Sequence, residues 1–155
     1  MKEEFNRLID KAIELELNVA ELYIQFHRLF PSDASFWWQL AIEEKNHAAL
    51  LRTLKEMNQV HLEIPTEFYP ESAEALDNSS RKISIARKEF EKNPDRSLAL
   101  RTAYEIENSA GEFHYDSFAK SESSSQLARI FRKLNGSDLD HARRIRKYMD
   151  GLGLS

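Results

Sequence analysis

Two parts of the chain, one towards each end, carry the same pattern of apolar and polar residues, and this duplication restricts the fold more than any other feature. The segment Ala12-Ile-Glu-Leu-Glu16 corresponds to Ala103-Tyr-Glu-Ile-Glu107. Further along each part, Glu44-Lys-Asn-His47-Ala48 corresponds to Asp138-Leu-Asp-His141-Ala142. Apolar residues recur in both parts at steps of three and four, which is the period of an α-helix. The sequence therefore predicts two related helical hairpins.

The breaks between apolar stretches predict where each helix begins and ends. Pro31 should end the first helix, with Ser32 as N-cap of the second, and Pro65 and Pro70 indicate an extended crossover. We expect helices at about residues 2–30, 32–57, 72–92, 95–120 and 124–149. The predicted fold is all-α and forms a single domain over residues 1–155. Its four-helix bundle consists of hairpin 1 (about 2–58), a long crossover (59–94) carrying an extra helix, and hairpin 2 (about 95–150).

The apolar positions predict which side of each helix faces the core. Residues three or four apart lie on one face of a helix, so these apolar stripes are expected to be buried. The stripe of the crossover helix includes Ile83, Ile85 and Phe90, and the next helix has Leu98, Ala99, Ala103 and Ile106. The stripes of the first two helices contain Phe5, Ile9, Val19, Tyr23, Phe26, Trp37, Leu40, Leu51 and Leu54.

Composition excludes several classes of function. The chain has 22 Lys and Arg against 26 Asp and Glu, a net charge of −4, which argues against a nucleic-acid-binding surface. Cysteine is absent, so disulfides, iron–sulfur clusters and cysteine nucleophiles are excluded. The N-terminus begins an amphipathic helix rather than a signal peptide, and no apolar run is long enough to span a membrane. We expect a soluble, cytoplasmic protein that binds neither nucleic acid nor membrane.

Six polar residues interrupt the predicted apolar stripes: Glu16, Glu44, His47, Glu107, Asp138 and His141. Because residues three apart share a helix face, each of the two acid–histidine pairs points in one direction. The four helices would thus direct four carboxylates and two imidazoles towards the bundle axis. Burying four carboxylates without a cation is strongly unfavourable. Carboxylate oxygen and imidazole nitrogen suit iron or manganese, and a metal pair would neutralise the cluster.

These motifs resemble those of the rubrerythrin-related branch of the ferritin-like superfamily. Glu16-Leu-Asn-Val-Ala-Glu-Leu-Tyr23 is similar to the first-helix motif of that branch, and Leu40-Ala-Ile-Glu-Glu-Lys-Asn-His-Ala48 is similar to its second. The resemblance covers residues 8–54 and 98–148. It implies that Glu16 and Glu107 are the single-helix carboxylates of a di-iron site. Glu44 and Asp138 would bridge or cap the metals, and His47 and His141 would each bind one ion.

The sequence departs from the pattern of that family at three points. Asp138 stands where the family has Glu and is one methylene shorter. Ala110 stands where rubrerythrins carry a further carboxylate, one turn after the position of Glu107. There is also no cysteine-rich rubredoxin domain, so the resemblance implies that electrons come from an external donor protein.

The function implied by the resemblance is an oxidoreductase, a ferroxidase or rubrerythrin-like peroxidase. It would hold two iron ions, with manganese as an alternative, and react with oxygen or peroxide as a homodimer or larger homo-oligomer. Two other functions remain open. The chain could be an iron-storage subunit of the ferritin type, or a bundle that binds metal without catalysis.

Three positions near the predicted ligands have two interpretations each. Tyr23 and His114 lie two turns beyond Glu16 and Glu107, where they could donate hydrogen bonds to ligands or simply pack in the core. Asn135-Gly-Ser137 is a turn signal inside the last predicted helix. It could break that helix and disable the second half of the site. We expect instead a local bulge that brings Asp138 to the metal, since bulges of this kind occur at functional sites.

Overall fold

A computed structural model describes residues 2–60, 72–111 and 126–154, and these residues contain helices and no strand. The all-α prediction is therefore confirmed. The chain divides into two compact units, Met1–Pro94 and Asp95–Ser155. The predicted crossover prolines, Pro65 and Pro70, lie outside the described residues. The elements are α1 (Lys2–Leu29), a 3-10 turn (Pro31–Asp33), α2 (Ala34–Gln59), α3 (Ala73–Lys92), α4 (Arg96–Gly111) and α5 (Gln126–Gly151).

In the first unit, α1 and α2 form an antiparallel hairpin. Near the connection, the rings of Tyr23 and Trp37 lie 5.5 Å apart. Far from it, Lys55 Nζ donates to Asp10 Oδ1 over 2.6 Å. Residues close to the turn thus contact each other, as do residues distant from it, which requires the two helices to run in opposite directions. The predicted stripes of both helices are buried in this hairpin.

An aromatic cluster joins α3 to the hairpin. The ring of Phe26 lies 4.8 Å from that of Trp37 and 4.7 Å, edge-on, from that of Phe90. Edge-to-face pairs at these separations are favourable beyond the area that they bury. Leu76 and Ile83 are buried on the same helix as Phe90. The crossover helix is therefore part of the core of the first unit.

The junction between α1 and α2 differs from the prediction at Ser32. Pro31 begins a 3-10 turn instead of lying outside a helix, and α2 begins at Ala34 with Asp33 at its N-cap position. Proline fits the first turn of a helix because its fixed φ angle suits that position and it needs no hydrogen-bond acceptor there. The prediction of Ser32 as N-cap was wrong, since the chain turns once more before α2 starts.

Ser72 caps α3, and its Oγ accepts a hydrogen bond from the backbone N–H of Ala75 over 3.2 Å. We expect Ser72→Ala to lower the free energy of unfolding by about 1 kcal/mol, the usual effect of losing such a cap. Urea unfolding measures the change. Ser80→Ala is the matched control, because Ser80 lies within the same helix and alanine is favourable there. Equal unfolding midpoints for the two variants would contradict the assigned cap.

The inward faces of α3 and α4 are rotated relative to the prediction. Ile85 and Leu98 were expected in the core but are 55% and 45% exposed. On α4 the buried positions are Ala99, Leu100, Ala103 and Glu107. Each residue advances about 100° around an α-helix. A face centred on these four positions therefore leaves Leu98 at its side.

In the second unit, α4 packs against α5. Asp95 caps α4 by accepting the N–H of Leu98 on Oδ1 over 2.9 Å. At the other end of the unit, Gly153 adopts a positive φ of 72°. Leu154 N–H then bonds to the carbonyl of Met149, so α5 ends in a Schellman turn. The described buried apolar side chains of this unit are Ala99, Leu100, Ala103, Ile130, Ala142, Ile145 and Met149.

The backbone of α5 is α-helical through Asn135, Gly136 and Ser137. Neither the expected bulge nor a break is present at this point, so the bulge prediction was wrong. A glycine within a helix costs only about 1 kcal/mol relative to alanine. Burial of apolar side chains on both sides, including Ile130 and Ile145, outweighs that cost. Across the described helices, no stretch is long and apolar enough to cross a membrane.

Candidate metal centre

Glu16, Glu44 and His47 form a polar cluster inside the first unit. Glu16 lies on α1 between the buried residues Ala12 and Val19. Glu44 and His47 lie one turn apart on α2, and both are buried. The helical period that buries the apolar stripes also directs these three polar side chains into the core.

The cluster converges on one ring nitrogen of His47. Its Nδ1 lies 3.1 Å from Glu44 Oε2 and 3.6 Å from Glu16 Oε2. The side chains of His47 and Glu44 are only 4% and 2% exposed, whereas that of Glu16 is 12% exposed. Two carboxylates from two helices thus approach one imidazole in a largely dry environment, and Glu16 is the member nearest to solvent.

Burial and mutual proximity change the protonation of this cluster. Burial raises the pKa of the Glu16 carboxyl from 4.5 to about 7, because it disfavours the charged form; His47 opposes this rise and Glu44 adds repulsion. For His47, burial lowers the pKa, but the nearby carboxylates of Glu16 and Glu44 outweigh it and raise the pKa from 6.5 to about 11. Without a metal ion, His47 therefore carries a proton at neutral pH and serves as the cation between the two acids.

The second unit contains a corresponding pair, Glu107 on α4 and His141 on α5. His141 Nδ1 lies 3.5 Å from Glu107 Oε2, and the two side chains are 0% and 2% exposed. Asp138 lies on α5 one turn before His141. The position of its side chain lies outside the described part of the structure. Each unit thus contains a buried carboxylate beside the Nδ1 atom of a buried histidine.

The donor set of these clusters fits a metal ion. Glu44 and His47 in the first unit are buried, as is His141 in the second. Imidazole nitrogen with carboxylate oxygen is a combination used for iron, manganese and zinc. Five of the six predicted ligands have described side chains: four of these are buried and Glu16 is nearly so. The sixth, Asp138, has only its backbone described.

Neither interpretation of Tyr23 or His114 is decided. Tyr23 is fully buried and its ring lies against Trp37 in a tilted arrangement, which fits both core packing and donation of a hydrogen bond to a ligand. His114 lies outside the described residues. The two interpretations of His114 therefore remain as the sequence left them.

A buried polar side chain not anticipated from the sequence is Gln25. Its Nε2 donates to the carbonyl oxygen of Arg87 over 2.8 Å and to Glu91 Oε2 over 2.9 Å. These bonds link α1 to the last turns of α3, beside the aromatic cluster. Gln25 is 4% exposed, and a lone glutamine beside Phe26 carries no sequence signal that would reveal such a role.

No protein-family model, curated protein or solved structure matches this chain.

Proposed function

We propose that this chain binds two metal ions, iron first and manganese as an alternative, and acts as an oxidoreductase towards oxygen or peroxide. The proposed ligands are Glu16, Glu44, His47, Glu107, Asp138 and His141. The observation that carries the proposal is the cluster in the core of the first unit, where carboxylate oxygens of Glu16 and Glu44 lie within 3.6 Å of the same imidazole nitrogen of His47. The resemblance of both hairpins to the rubrerythrin-related branch of the ferritin-like superfamily supports the choice of metal and reaction.

Charge explains why metal suits these residues. In the first unit, one imidazolium faces two carboxyl groups. The negative charge of this cluster is therefore balanced only by the protons that its side chains retain. A divalent ion replaces those protons with a charge that both acids can bind directly. In the second unit, Glu107 and His141 are almost completely buried, and an ion there would likewise offset the cost of burying a carboxylate.

The arrangement that we propose for the two units is a ferritin-like bundle. The α1–α2 and α4–α5 hairpins would pair so that each contributes one half of the ligand set, as in di-iron and di-manganese carboxylate proteins. Bound iron would supply the electron transfer to oxygen or peroxide. The protein side chains would hold the ions, and the surrounding apolar residues, such as Ala41 and Leu51, would keep water away from them.

Metal content of the purified protein tests the binding step. After iron loading and desalting, we expect about two ions per chain, in line with a dinuclear carboxylate site. Glu16→Gln should lower that content. Glu14→Gln is the matched control, because Glu14 lies on the same helix but is exposed, and it should leave the content unchanged. Equal metal content in the two variants would contradict the assignment of Glu16.

Stopped-flow absorbance tests the reaction. Ferrous protein mixed with peroxide should show fast oxidation of the bound iron, followed by a halt, because the chain has no cysteine with which to build a rubredoxin-type electron relay. An added reductant should restore turnover. Sustained peroxide consumption without a reductant would contradict the proposed cycle. Light scattering separates this proposal from iron storage, since a storage shell would be a large assembly holding far more iron per chain.

A further inference from the structure

The last helix, α5, carries a strong positive charge in an otherwise acidic chain. It has seven Lys and Arg residues and three Asp residues, which give it a net charge of +4. The whole chain has a net charge of −4, so the residues outside α5 sum to −8. An acidic molecule is therefore attracted to this helix and repelled by the summed charge of the rest of the chain.

The exposed basic residues of α5 lie on one side of the helix, away from its buried side. Each residue advances about 100° around an α-helix, so four of these residues fall within about 80° of one another. These four exposed side chains form the basic stripe: Arg129, Lys133, Arg143 and Lys147. At a rise of about 1.5 Å per residue, the stripe extends about 27 Å along the helix.

The acids of α5 offset only part of this charge. Asp140 Oδ1 lies 2.6 Å from Arg143 Nη2, and Asp150 Oδ1 lies 3.3 Å from Arg146 Nε. Within the described residues, the two lysines of the basic stripe take part in no ion pair. The stripe therefore keeps positive charge with which an acidic partner can pair.

The setting of the basic stripe argues against a membrane or a nucleic acid as its partner. An amphipathic helix enters a membrane by its apolar side, but Ala142, Ile145 and Met149 of α5 are buried in the core of the second unit. An extended polyanion such as DNA would also meet the negative charge outside α5. A small acidic protein can contact one helix face alone, and electron-transfer complexes use small interfaces of this kind.

The same helix carries His141, a proposed metal ligand, on its buried side. An α-helix with its side chains is about 10–12 Å wide, so a partner on the basic stripe would lie about one helix width from His141. We propose that the basic stripe is the docking surface for a small acidic protein that donates single electrons. This inference rests on the proposed function, which needs an external donor, and adds where that donor binds. The donor gives one electron to each ferric ion and is itself oxidised by one electron.

Calorimetric titration of the metal-free full-length protein with oxidised rubredoxin, used as an acidic one-electron probe, tests the docking surface. The double variant Lys133→Glu, Lys147→Glu should weaken binding roughly tenfold or more, because attraction becomes repulsion. The matched control is Lys82→Glu, Lys88→Glu, which changes the net charge equally at exposed positions of α3. It should bind nearly as well as the wild type. Raising the salt concentration from about 20 mM to about 200 mM should weaken binding to the wild type.

A milder double variant, Lys133→Ala, Lys147→Ala, removes the two charges without adding acids. It should weaken binding in the same direction and by less. Circular dichroism of each variant establishes that the helices are retained.

The rate at which reduced rubredoxin reduces the iron-loaded, ferric protein gives a second readout. The Lys→Glu variant of the stripe should react more slowly than the control. Hydroquinone, a small neutral reductant, should reduce the wild type and both of these variants equally fast, because it needs no charged docking surface.

Three results would overturn the inference. One is equal affinity for rubredoxin in the stripe and control variants, and another is no binding to the wild type at about 20 mM salt. The third is binding of duplex DNA that the stripe variant loses while its affinity for rubredoxin is unchanged. Absence of bound iron, or ferric protein that hydroquinone fails to reduce, would instead contradict the proposed function, and calorimetry on the metal-free protein would still decide the docking surface.

Discussion

Adding Mn²⁺ to the metal-free protein at pH 8 should raise its free energy of unfolding by about 4 kcal/mol when the free ion is about a thousandfold above its dissociation constant. For a chain of this size, that gain corresponds to roughly 10 °C in melting temperature. The reason is that the ligands are assembled in the folded protein, so the ion binds the folded state preferentially. Thermal unfolding followed by circular dichroism, with and without the ion, measures the gain.

The same gain should shrink as the pH falls. Metal must displace the protons that Glu16 and His47 hold in its absence, whose pKa values are raised to about 7 and about 11. Binding therefore becomes weaker in acid, and loading near neutral pH should release protons. Calorimetric titrations in buffers of different ionisation enthalpy measure that release.

The folding stability of the metal-free protein should show the opposite dependence on pH and fall as the pH rises. For Glu16, the folded protein holds the proton more tightly than the unfolded chain, so this stabilising contribution is lost as the pH rises from about 4.5 to about 7. For His47 it is lost as the pH rises from about 6.5 to about 11. Both pKa shifts therefore lower the stability of the metal-free protein in alkali, where metal helps most.

A matched variant and two measurements test this first prediction. Glu14→Gln changes an exposed carboxylate on α1 and should retain the full gain from metal. The prediction fails if the wild-type protein melts at the same temperature with and without Mn²⁺ at pH 8. It also fails if the gain from metal is as large at pH 5 as at pH 8.

The second large effect is expected from His47→Leu in the metal-free protein. Removing the imidazolium takes away the cation that lies 3.1 Å from Glu44 Oε2 and 3.6 Å from Glu16 Oε2 in the core. Breaking a buried charge pair by removing one partner typically costs about 3–5 kcal/mol. Urea unfolding at pH 7, in the presence of a chelator, should show a loss of stability of that size.

The triple variant Glu16→Gln, Glu44→Gln, His47→Leu separates lost charge balance from lost packing. With both acids neutralised, most of the loss should be recovered, because the two groups that faced the imidazolium then carry no charge. If the triple variant is as unstable as His47→Leu alone, the loss comes from the shape of the imidazole. A change below about 1 kcal/mol in the single variant would show that His47 does not balance these acids.

Sequence reasoning succeeded best where local and long-range signals agreed. The stripes of α1 and α2 contain many large apolar residues, and Pro31 shortens their connection, so few other packings could bury Tyr23 and Trp37 together. It failed where a helix offered several apolar sides. On α3 and α4 it selected Ile85 and Leu98, which are exposed. When apolar residues lie on several sides of a helix, the sequence does not reveal which side a neighbouring element will cover.

At the Asn135-Gly136 dipeptide, a local preference competes with tertiary packing. Its local preference is for a turn, yet the chain continues as one helix from Gln126 to Gly151. Tertiary burial of the flanking residues exceeds the small cost of glycine within a helix. A local rule could not predict this outcome, since the opposing energy comes from residues on another helix.

By itself, the sequence determined that the chain is helical and which residue types occupy the core-facing positions, because helical period and side-chain chemistry are local properties. It thus identified Glu44, His47, Glu107 and His141 as buried candidates for metal binding. Only the tertiary structure decided that Glu16 and Glu44 approach the same nitrogen of His47, that Glu16 keeps some exposure, and that the pKa values of Glu16 and His47 are raised. Those properties depend on distances between helices and on the water excluded around them, and neither is encoded at a single position.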